Sequence, residues 1–200
     1  MIQKGMTHKG LPIHAFETVA AWAEWLAENG AASTGLWLKF YKKGSSHPTV
    51  SKAEAIEAAL IHGWIDGQLD RFDDTAWLTR FTPRKSTSKW SEINCKTAER
   101  LIAAGRMTAA GLAEVERAKA DGRWDAAYAP QSQAAVPEDL AAALDASPKA
   151  KAFFETLTGA NRYAILYRTH HAKKAETRKA RIEKFVAMLE RGEVVHPKKG

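Results

Sequence analysis

Cysteine is almost absent from this sequence of 200 residues. Cys95 is the one cysteine, so the chain cannot form an internal disulfide, which is typical of proteins in a reducing compartment. There is no run of about 18 apolar residues, the length that a membrane-spanning helix needs. Residues 1–12 contain lysine and histidine but no apolar segment typical of a secretory signal. We therefore expect a cytoplasmic protein without a transmembrane span.

Motifs for metals and cofactors are missing as well. The sequence has no His-Glu-x-x-His, no Cys-x-x-Cys and no glycine framework of a phosphate-binding loop. His170 and His171 are adjacent, so on a helix they would diverge. A nucleophilic Cys95 would need a partner base that the sequence does not place. We expect no metal site and no cofactor.

Positive charge is what the sequence has in excess. Lysine and arginine number 30 against 23 aspartate and glutamate, which gives a net charge of +7. This excess favours an anionic partner, either a small molecule or nucleic acid. No helix-turn-helix, zinc-finger or RNA-recognition signature is present, so the sequence does not support specific reading of bases.

The pattern of apolar residues predicts an α+β fold with a small antiparallel β-sheet or hairpin packed with helices. Residues 64–72 and 75–82 alternate with a period of two around an Asp-Asp turn, which predicts the hairpin. The later residues have helical spacing and predict a helical C-terminal module. We predict an α+β domain over residues 1–124, a linker over 125–136 and a helical module over 137–200.

The sharpest local feature is the segment from residue 80 to residue 91. It contains four cations, five hydroxyl side chains and no carboxylate, and it leads into a helix that Ser88 or Ser91 can cap. Unpaired N–H groups at a helix start attract anions, arginine binds phosphate or carboxylate with two hydrogen bonds, and tryptophan offers a stacking surface. The alternative is a solvated loop before a capped helix. The candidate anion-binding residues are Arg80, Arg84, Lys85, Ser88, Lys89 and Trp90.

A second basic region lies between residues 162 and 184. It has eight cations against Glu176 and Glu183, and they would lie opposite an apolar helix stripe. Such a surface suits electrostatic docking on nucleic acid or another anionic partner, or it is an ordinary solvated helix face. The candidate residues of this face are Arg168, Lys173, Lys174, Arg178 and Arg181.

Asp66 is the candidate residue for acid–base chemistry. Asp66 and Asp70 would point the same way on a regular strand, and a carboxyl group beside Trp64 can have a raised pKa. In the alternative reading, Asp66 shapes a bulge next to Gly67.

Several motifs are similar to those of one known family. They include Trp-Leu-Lys-Phe-Tyr-Lys-Lys-Gly at 37–44, Gly-Trp-Ile-Asp-Gly at 63–67, Phe-Thr-Pro-Arg-Lys at 81–85, Ser-Lys-Trp-Ser at 88–91 and Ala-Lys-Lys at 172–174. Over residues 10–197 the chain resembles the YdeI/OmpD-associated (bacteriocin-protection) family. The resemblance implies a role in tolerance to bacteriocins or antimicrobial peptides, or association with an outer-membrane porin, and it implies no catalytic residues.

The sequence leaves three functional hypotheses. The first is a cytoplasmic protein that binds a phosphate- or carboxylate-bearing ligand, or nucleic acid, at the hairpin end and helix start. The second is a small enzyme that uses Asp66 as acid or base beside that anion site. The third is a stress-related protein-interaction module with no small-molecule site.

Overall fold

A computed structural model describes residues 5–130 and 134–197. The chain divides into two compact units, Met1–Ala127 and Tyr128–Gly200. Among the described residues, all strands belong to the first unit, and the second unit is helical, so the predicted α+β class with a helical C-terminal region is confirmed. Residues 131–133 of the predicted linker lie outside the described residues, and the linker stays a prediction.

Within residues 5–127 the first unit contains a five-stranded sheet and four helices. Their bounds are β1 (Thr7–His8), β2 (Leu11–Ala15), α1 (Val19–Asn29), β3 (Leu36–Tyr41), α2 (Lys52–Ile61), β4 (Trp64–Arg71), β5 (Ala76–Pro83), α3 (Glu92–Ala103) and α4 (Ala109–Ala120). The strand order is β1-β2-β3-β5-β4. The predicted β4–β5 hairpin is present, but the sheet is mixed because β2 and β3 are parallel. A parallel pair needs a long crossover connection, and α1 supplies it.

One face of the sheet is covered by α1 and α2. Leu36, Leu38 and Phe40 of β3 point into this core because they alternate with residues of the other face. Trp22 of α1 is fully buried there, and its indole N–H donates to the carbonyl of Ala55 at 3.0 Å. Burial of each such side chain stabilises the fold by about 1.5–3 kcal/mol, so this core holds the sheet and its first two helices together.

The opposite face of the sheet carries a smaller cluster around Trp37. The His8 ring meets the Trp37 ring edge-on, with their centroids 4.8 Å apart. His8 Nε2 and Lys9 Nζ lie 2.9 and 2.7 Å from Asp70 Oδ2. Hydrogen bonds from Lys9 and then His8 lower the pKa of Asp70 to about 2. The N-terminal strand is therefore tied to β4 across the sheet.

The helices α3 and α4 form a third cluster against the far side of α2. Before them, α2 starts with a capping box, in which the Ser51 side chain accepts the N–H of Glu54 and the Glu54 side chain accepts the N–H of Ser51. It ends at Ile61, and Gly63 turns the chain after it with a φ of 75°, which suits glycine because it lacks a Cβ atom. The carbonyl of Gly63 accepts the N–H of Arg84 at 2.9 Å, so the end of α2 fixes where the chain leaves β5.

In the described part of the second unit, residues 128–130 and 134–197, four helices pack around one apolar core. Their bounds are α5 (Glu138–Asp145), α6 (Pro148–Thr156), α7 (Gly159–His170) and α8 (Ala175–Glu190). Ile182, Phe185 and Leu189 of α8 are buried in this core, as their spacing predicts. No helix among the described residues of either unit is long and apolar enough to span a bilayer.

Candidate functional site

The loop between β5 and α3 is organised around Arg84. Its side chain is 5% exposed, and its guanidinium carbon lies 3.8 Å from the centroid of the Trp90 ring. Arg84 Nη1 donates to the carbonyl of Lys89 at 3.2 Å. A planar guanidinium stacks well on an indole ring. Arg84 therefore lies inside the protein and closes the loop from within.

A tight turn occupies the middle of the same loop. The N–H of Lys85 donates to Ser88 Oγ at 2.9 Å, and the N–H of Ser88 donates to the carbonyl of Lys85 at 2.9 Å. Arg123, which is paired with Asp121, donates from Nη1 to the carbonyl of Ser88 at 2.8 Å. The hydroxyl of Ser88 thus has a structural role in this turn, and the loop is held at both ends.

The start of α3 is already capped by the protein itself. Ser91, one of the two predicted caps, accepts the N–H of Asn94 at 3.2 Å. Glu92 brings a carboxylate into the first turn. Trp90, the predicted stacking surface, is 1% exposed and lies between Arg84 and Trp124, whose ring centroid is 4.8 Å away. Because Ser91 already uses the N–H of Asn94, the side chains of the loop are better candidates for contact with an anion than the N–H groups of α3 are.

Of the six predicted anion-binding residues, three are exposed and three are buried or half-buried. Lys85 and Lys89 are exposed in the loop, together with the hydroxyl residues Ser86 and Thr87. Arg80 is also exposed, but it pairs with Trp37 in the sheet and so lies on the face away from α1 and α2. Arg84, Ser88 and Trp90 build the loop, and Lys85 and Lys89 are the predicted residues that it presents to solvent.

The expectation that Asp66 and Asp70 share a face is wrong. A β-bulge between Asp66 and Leu69 shifts the register of β4, so that Asp66 lies opposite Phe81 and Asp70 lies opposite Leu78. Phe81 and Leu78 are three residues apart on β5 and occupy opposite faces, so the two carboxylates do too. Asp70 is held by Lys9 and His8. Asp66 is half-buried on its own face of the sheet.

Cys95 lies in α3 beside this loop and is buried. Burial, and then the charge of Glu99, raise the pKa of its thiol to about 11. The thiol is protonated at neutral pH and is a poor nucleophile in that state. No group of three or more histidine, cysteine, aspartate or glutamate side chains within residues 5–130 and 134–197 is arranged to hold a metal ion.

The predicted basic face of the second unit also contains both arginines that are bonded within the protein and cations that are exposed. Arg178 Nη1 donates to the carbonyl of Thr169 at 2.7 Å, and its Nη2 donates to Asp139 at 2.7 Å. Arg181 donates to the carbonyl of Arg168. Both arginines therefore satisfy carbonyl groups at the C-terminus of α7, where an α-helix leaves such groups unpaired. The three other predicted residues of the face, Arg168, Lys173 and Lys174, are exposed.

A tyrosine-lined cavity in the second unit is the feature that the sequence analysis missed. It has a volume of about 480 Å³, and its walls include Tyr128, Tyr163 and Tyr167 with Arg168. Tyr163 and Tyr167 are both half-buried. Their spacing of four residues with alanine at 160 and 164 was the available signal, because small residues between large ones leave space on a helix face.

These features define the chain as a basic α+β protein with a lysine-bearing loop in one unit and an aromatic cavity in the other. Residues 14–114 match the model of a domain of unknown function (DUF8412), and the chain belongs to this family. Residues 133–192 match the model described as bacteriocin-protection, YdeI or OmpD-associated, which confirms the resemblance in this part of the chain. The motifs between residues 37 and 91 lie in the part that matches the first model. No curated protein and no solved structure matches the chain.

Proposed function

We propose that this chain is a cytoplasmic protein that binds a phosphate- or carboxylate-bearing ligand through the loop between β5 and α3. The observation that supports the proposal is the preorganised loop. Arg84 and Arg123 hold its backbone, while Lys85 and Lys89 are exposed beside two hydroxyl side chains. Residues 75–91 contain no carboxylate. An anion that approaches the loop therefore meets two cations and two hydroxyl donors on a fixed backbone.

The internal hydrogen bonds of the loop matter for affinity. A loop that is ordered before binding loses less conformational entropy when it binds. The two arginines accomplish this by bonding the carbonyls of Lys89 and Ser88. Carbonyl oxygens used in this way are turned toward the arginines and do not repel an anion outside the loop. Lysine suits the outer position because its ammonium group binds phosphate as a mobile point charge.

The proposal is tested with inorganic tripolyphosphate, which carries phosphate charge but no aromatic ring. Binding to the full chain would be measured by calorimetry, and Lys85→Ala/Lys89→Ala is expected to weaken it about tenfold, since each lysine contributes one charge-assisted contact. Lys42→Ala/Lys43→Ala is the matched control because it removes two lysines of another loop in the same unit. Equal affinities in the two variants would overturn the proposal.

Salt dependence gives a second readout of the same contact. Because salt screens exposed charges, raising the salt concentration fourfold is expected to lower the affinity for tripolyphosphate. The Lys85→Ala/Lys89→Ala variant should lose most of this dependence, whereas the control variant should keep it. Binding that ignores salt would mean that charge does not carry the interaction.

A further inference from the structure

The tyrosine-lined cavity lies entirely within the second unit and is not part of the basic loop. Its volume of about 480 Å³ falls within the range of small-molecule sites, roughly 300–1,000 Å³. Such sites are mostly apolar and aromatic, with a few polar groups that orient the ligand. The cavity has this composition, because three tyrosine rings and two alanines line it together with Arg168 and His196.

One face of α7 builds most of the wall. Ala160, Tyr163, Ala164, Tyr167 and Arg168 follow the spacing i, i+3, i+4, i+7 and i+8, so they share one side of the helix. The other side of α7 carries residues of the unit's apolar core, and this packing fixes the rotation of the helix about its axis. The two alanines leave room between the tyrosine rings. The cavity is therefore a fixed consequence of how α7 packs.

Two further segments complete the wall and are held in place. The Tyr128 ring meets the Tyr167 ring at a centroid distance of 5.3 Å and an interplanar angle of 88°. On the other side, the N–H of His196 donates to Asn161 Oδ1 at 2.7 Å, and the Asn161 amide donates back to the carbonyl of His196 at 3.3 Å. The chain after α8 is thus attached to the start of α7, beside the cavity.

The tyrosine rings offer neutral aromatic surface. Tyr163 and Tyr167 have ring centroids 5.6 Å apart and planes inclined by 45°. Burial, followed by the neighbouring tyrosines, raises the pKa of Tyr163 to about 12, and burial raises the pKa of Tyr167. Both phenols are protonated at neutral pH. Aromatic walls of this kind take either a planar ring, by stacking or edge contact, or a cation.

Charge decides between these two occupants. Arg168 lies on the cavity wall and is exposed, and none of the lining residues is a carboxylate. From residue 128 onward the sequence has 13 lysines and arginines against 8 aspartates and glutamates. An organic cation would be repelled by this environment, whereas an anion would be attracted. An arginine beside an aromatic wall suits a ligand that has both a flat ring and a phosphate.

We propose that this cavity binds a planar nucleobase-type ring that carries a phosphate group. The ring lies against Tyr163 and Tyr167, and the phosphate is bound by Arg168. This chemistry occurs in free nucleotides and in single-stranded nucleic acid. The proposal is independent of anion binding by the loop of the first unit, because no residue is shared.

The test is calorimetric titration of the full chain with three compounds, AMP, adenosine and ribose 5-phosphate. AMP is expected to bind at least about tenfold more tightly than either of the others, because one lacks the phosphate and the other lacks the ring. Ribose 5-phosphate that binds as well as AMP would overturn the proposal, since stacking would then contribute nothing. Adenosine that binds as well as AMP would remove the role of Arg168.

Variants locate the binding in the cavity. Arg168→Ala and Tyr163→Leu are each expected to weaken AMP about tenfold. Tyr41→Leu and Arg191→Ala, which lie outside the cavity lining, serve as matched controls and should bind AMP as the parent does. Ala160→Trp fills the cavity from an exposed helix position without deleting a contact residue. A folded Ala160→Trp variant that binds AMP normally would overturn the proposal even if Tyr163→Leu does not fold.

Two comparisons separate the sources of the ligand and the two sites. A deoxyadenosine hexanucleotide that binds much more tightly than AMP assigns the cavity to single-stranded nucleic acid, and similar affinities assign it to free nucleotides. Lys85→Ala/Lys89→Ala should leave AMP affinity unchanged while weakening tripolyphosphate, and Arg168→Ala should do the reverse. Loss of AMP binding in the lysine variant would place the ligand in the loop and overturn the cavity proposal.

Discussion

In each of the two basic regions, two arginines bond backbone carbonyl groups and the neighbouring lysines are exposed, although the folds of the two units differ. In the first unit, Arg84 and Arg123 bond the carbonyls of Lys89 and Ser88, and the lysines of the loop remain exposed. In the second unit, Arg178 and Arg181 bond the carbonyls that end α7, and the lysines before α8 remain exposed. Arginine can present several donors in one plane and is weakly hydrated, so it is the cation that enters the structure.

The regions differ in what holds the inner arginine. Arg84 is stacked on Trp90 and is almost completely buried. Arg178 is paired with a carboxylate, Asp139, and a quarter of its side chain is exposed. A stack on a buried indole depends on packing, whereas a half-exposed ion pair depends on charge and pH. The comparison therefore separates two kinds of basic surface that look alike in the sequence.

Substitution of Arg84 is expected to have the largest effect. Arg84→Ala removes the packing over Trp90 and a charge-assisted hydrogen bond, and we expect a loss of about 3 kcal/mol in the free energy of unfolding. All seven tryptophans lie between residues 22 and 124, so urea unfolding followed by tryptophan fluorescence reports on the first unit alone. Arg84→Met, which keeps most of the packing, should recover part of the loss.

The matched control for Arg84 is Arg80, an exposed arginine on the same stretch of chain. Arg80→Ala should change the free energy of unfolding by no more than about 0.5 kcal/mol. If Arg84→Ala unfolds at the same urea concentration as Arg80→Ala, Arg84 does not organise the loop. The contrast between internal arginines and external lysines would then lose its first example.

Substitution of Arg178 is expected to have a smaller effect, of about 1–2 kcal/mol. Arg178→Ala removes a two-point ion pair with Asp139 and the hydrogen bond to the carbonyl of Thr169, but water reaches both partners in part. Circular dichroism reports helix loss in both units, so the transition that it shows and tryptophan fluorescence does not belongs to the second unit, which has no tryptophan. A double-mutant cycle with Asp139→Asn should give a coupling of about 1 kcal/mol, and a coupling near zero would contradict the structural role.

Local patterns in the sequence were enough to predict much of the fold. The hairpin of β4 and β5 and the buried stripe of α8 both depend on neighbouring residues, and both are present. The parallel pairing of β2 and β3 was not predicted, because it depends on how α1 returns the chain to the sheet. The β-bulge beside Gly67, which was the alternative interpretation of Asp66, is present, and it places Asp66 and Asp70 on opposite faces of the sheet.

The candidate sites were harder to predict because a sequence does not show which charged side chains are buried and which are exposed. The sequence places Arg84 and Lys85 side by side, but one is buried under α3 and the other is exposed. Which of them enters the core depends on the position of Trp90, six residues after Arg84, and on the carbonyl of Gly63 at the end of another helix. The tyrosine cavity likewise needs Tyr128, which lies 40 residues before Arg168 along the chain.

Lowering the pH is expected to have the smallest effect on stability. It acts on the ion pair between Arg178 and Asp139 in the second unit. The Arg178 guanidinium lowers the pKa of Asp139 below the ordinary value of 3.8. The unfolded chain therefore binds this proton more readily than the folded one does. The pair stabilises the second unit fully above the unfolded value and loses this contribution as the pH falls below 3.8 through the lowered value.

The same change in pH leaves the contact of Arg84 with the Trp90 ring and the Lys89 carbonyl intact, because neither partner titrates in acid. We therefore expect Asp139→Asn to flatten the decline in stability of the second unit below pH 4, the region in which aspartate ordinarily titrates, and to leave the first unit's profile unchanged. The measurement is urea unfolding at a series of pH values. Tryptophan fluorescence follows the first unit, and the second unit is followed by the part of the circular dichroism change that fluorescence does not show. If Asp139→Asn declines as steeply as the parent, other carboxylates carry the acid sensitivity, and the ion pair does not distinguish the two basic regions.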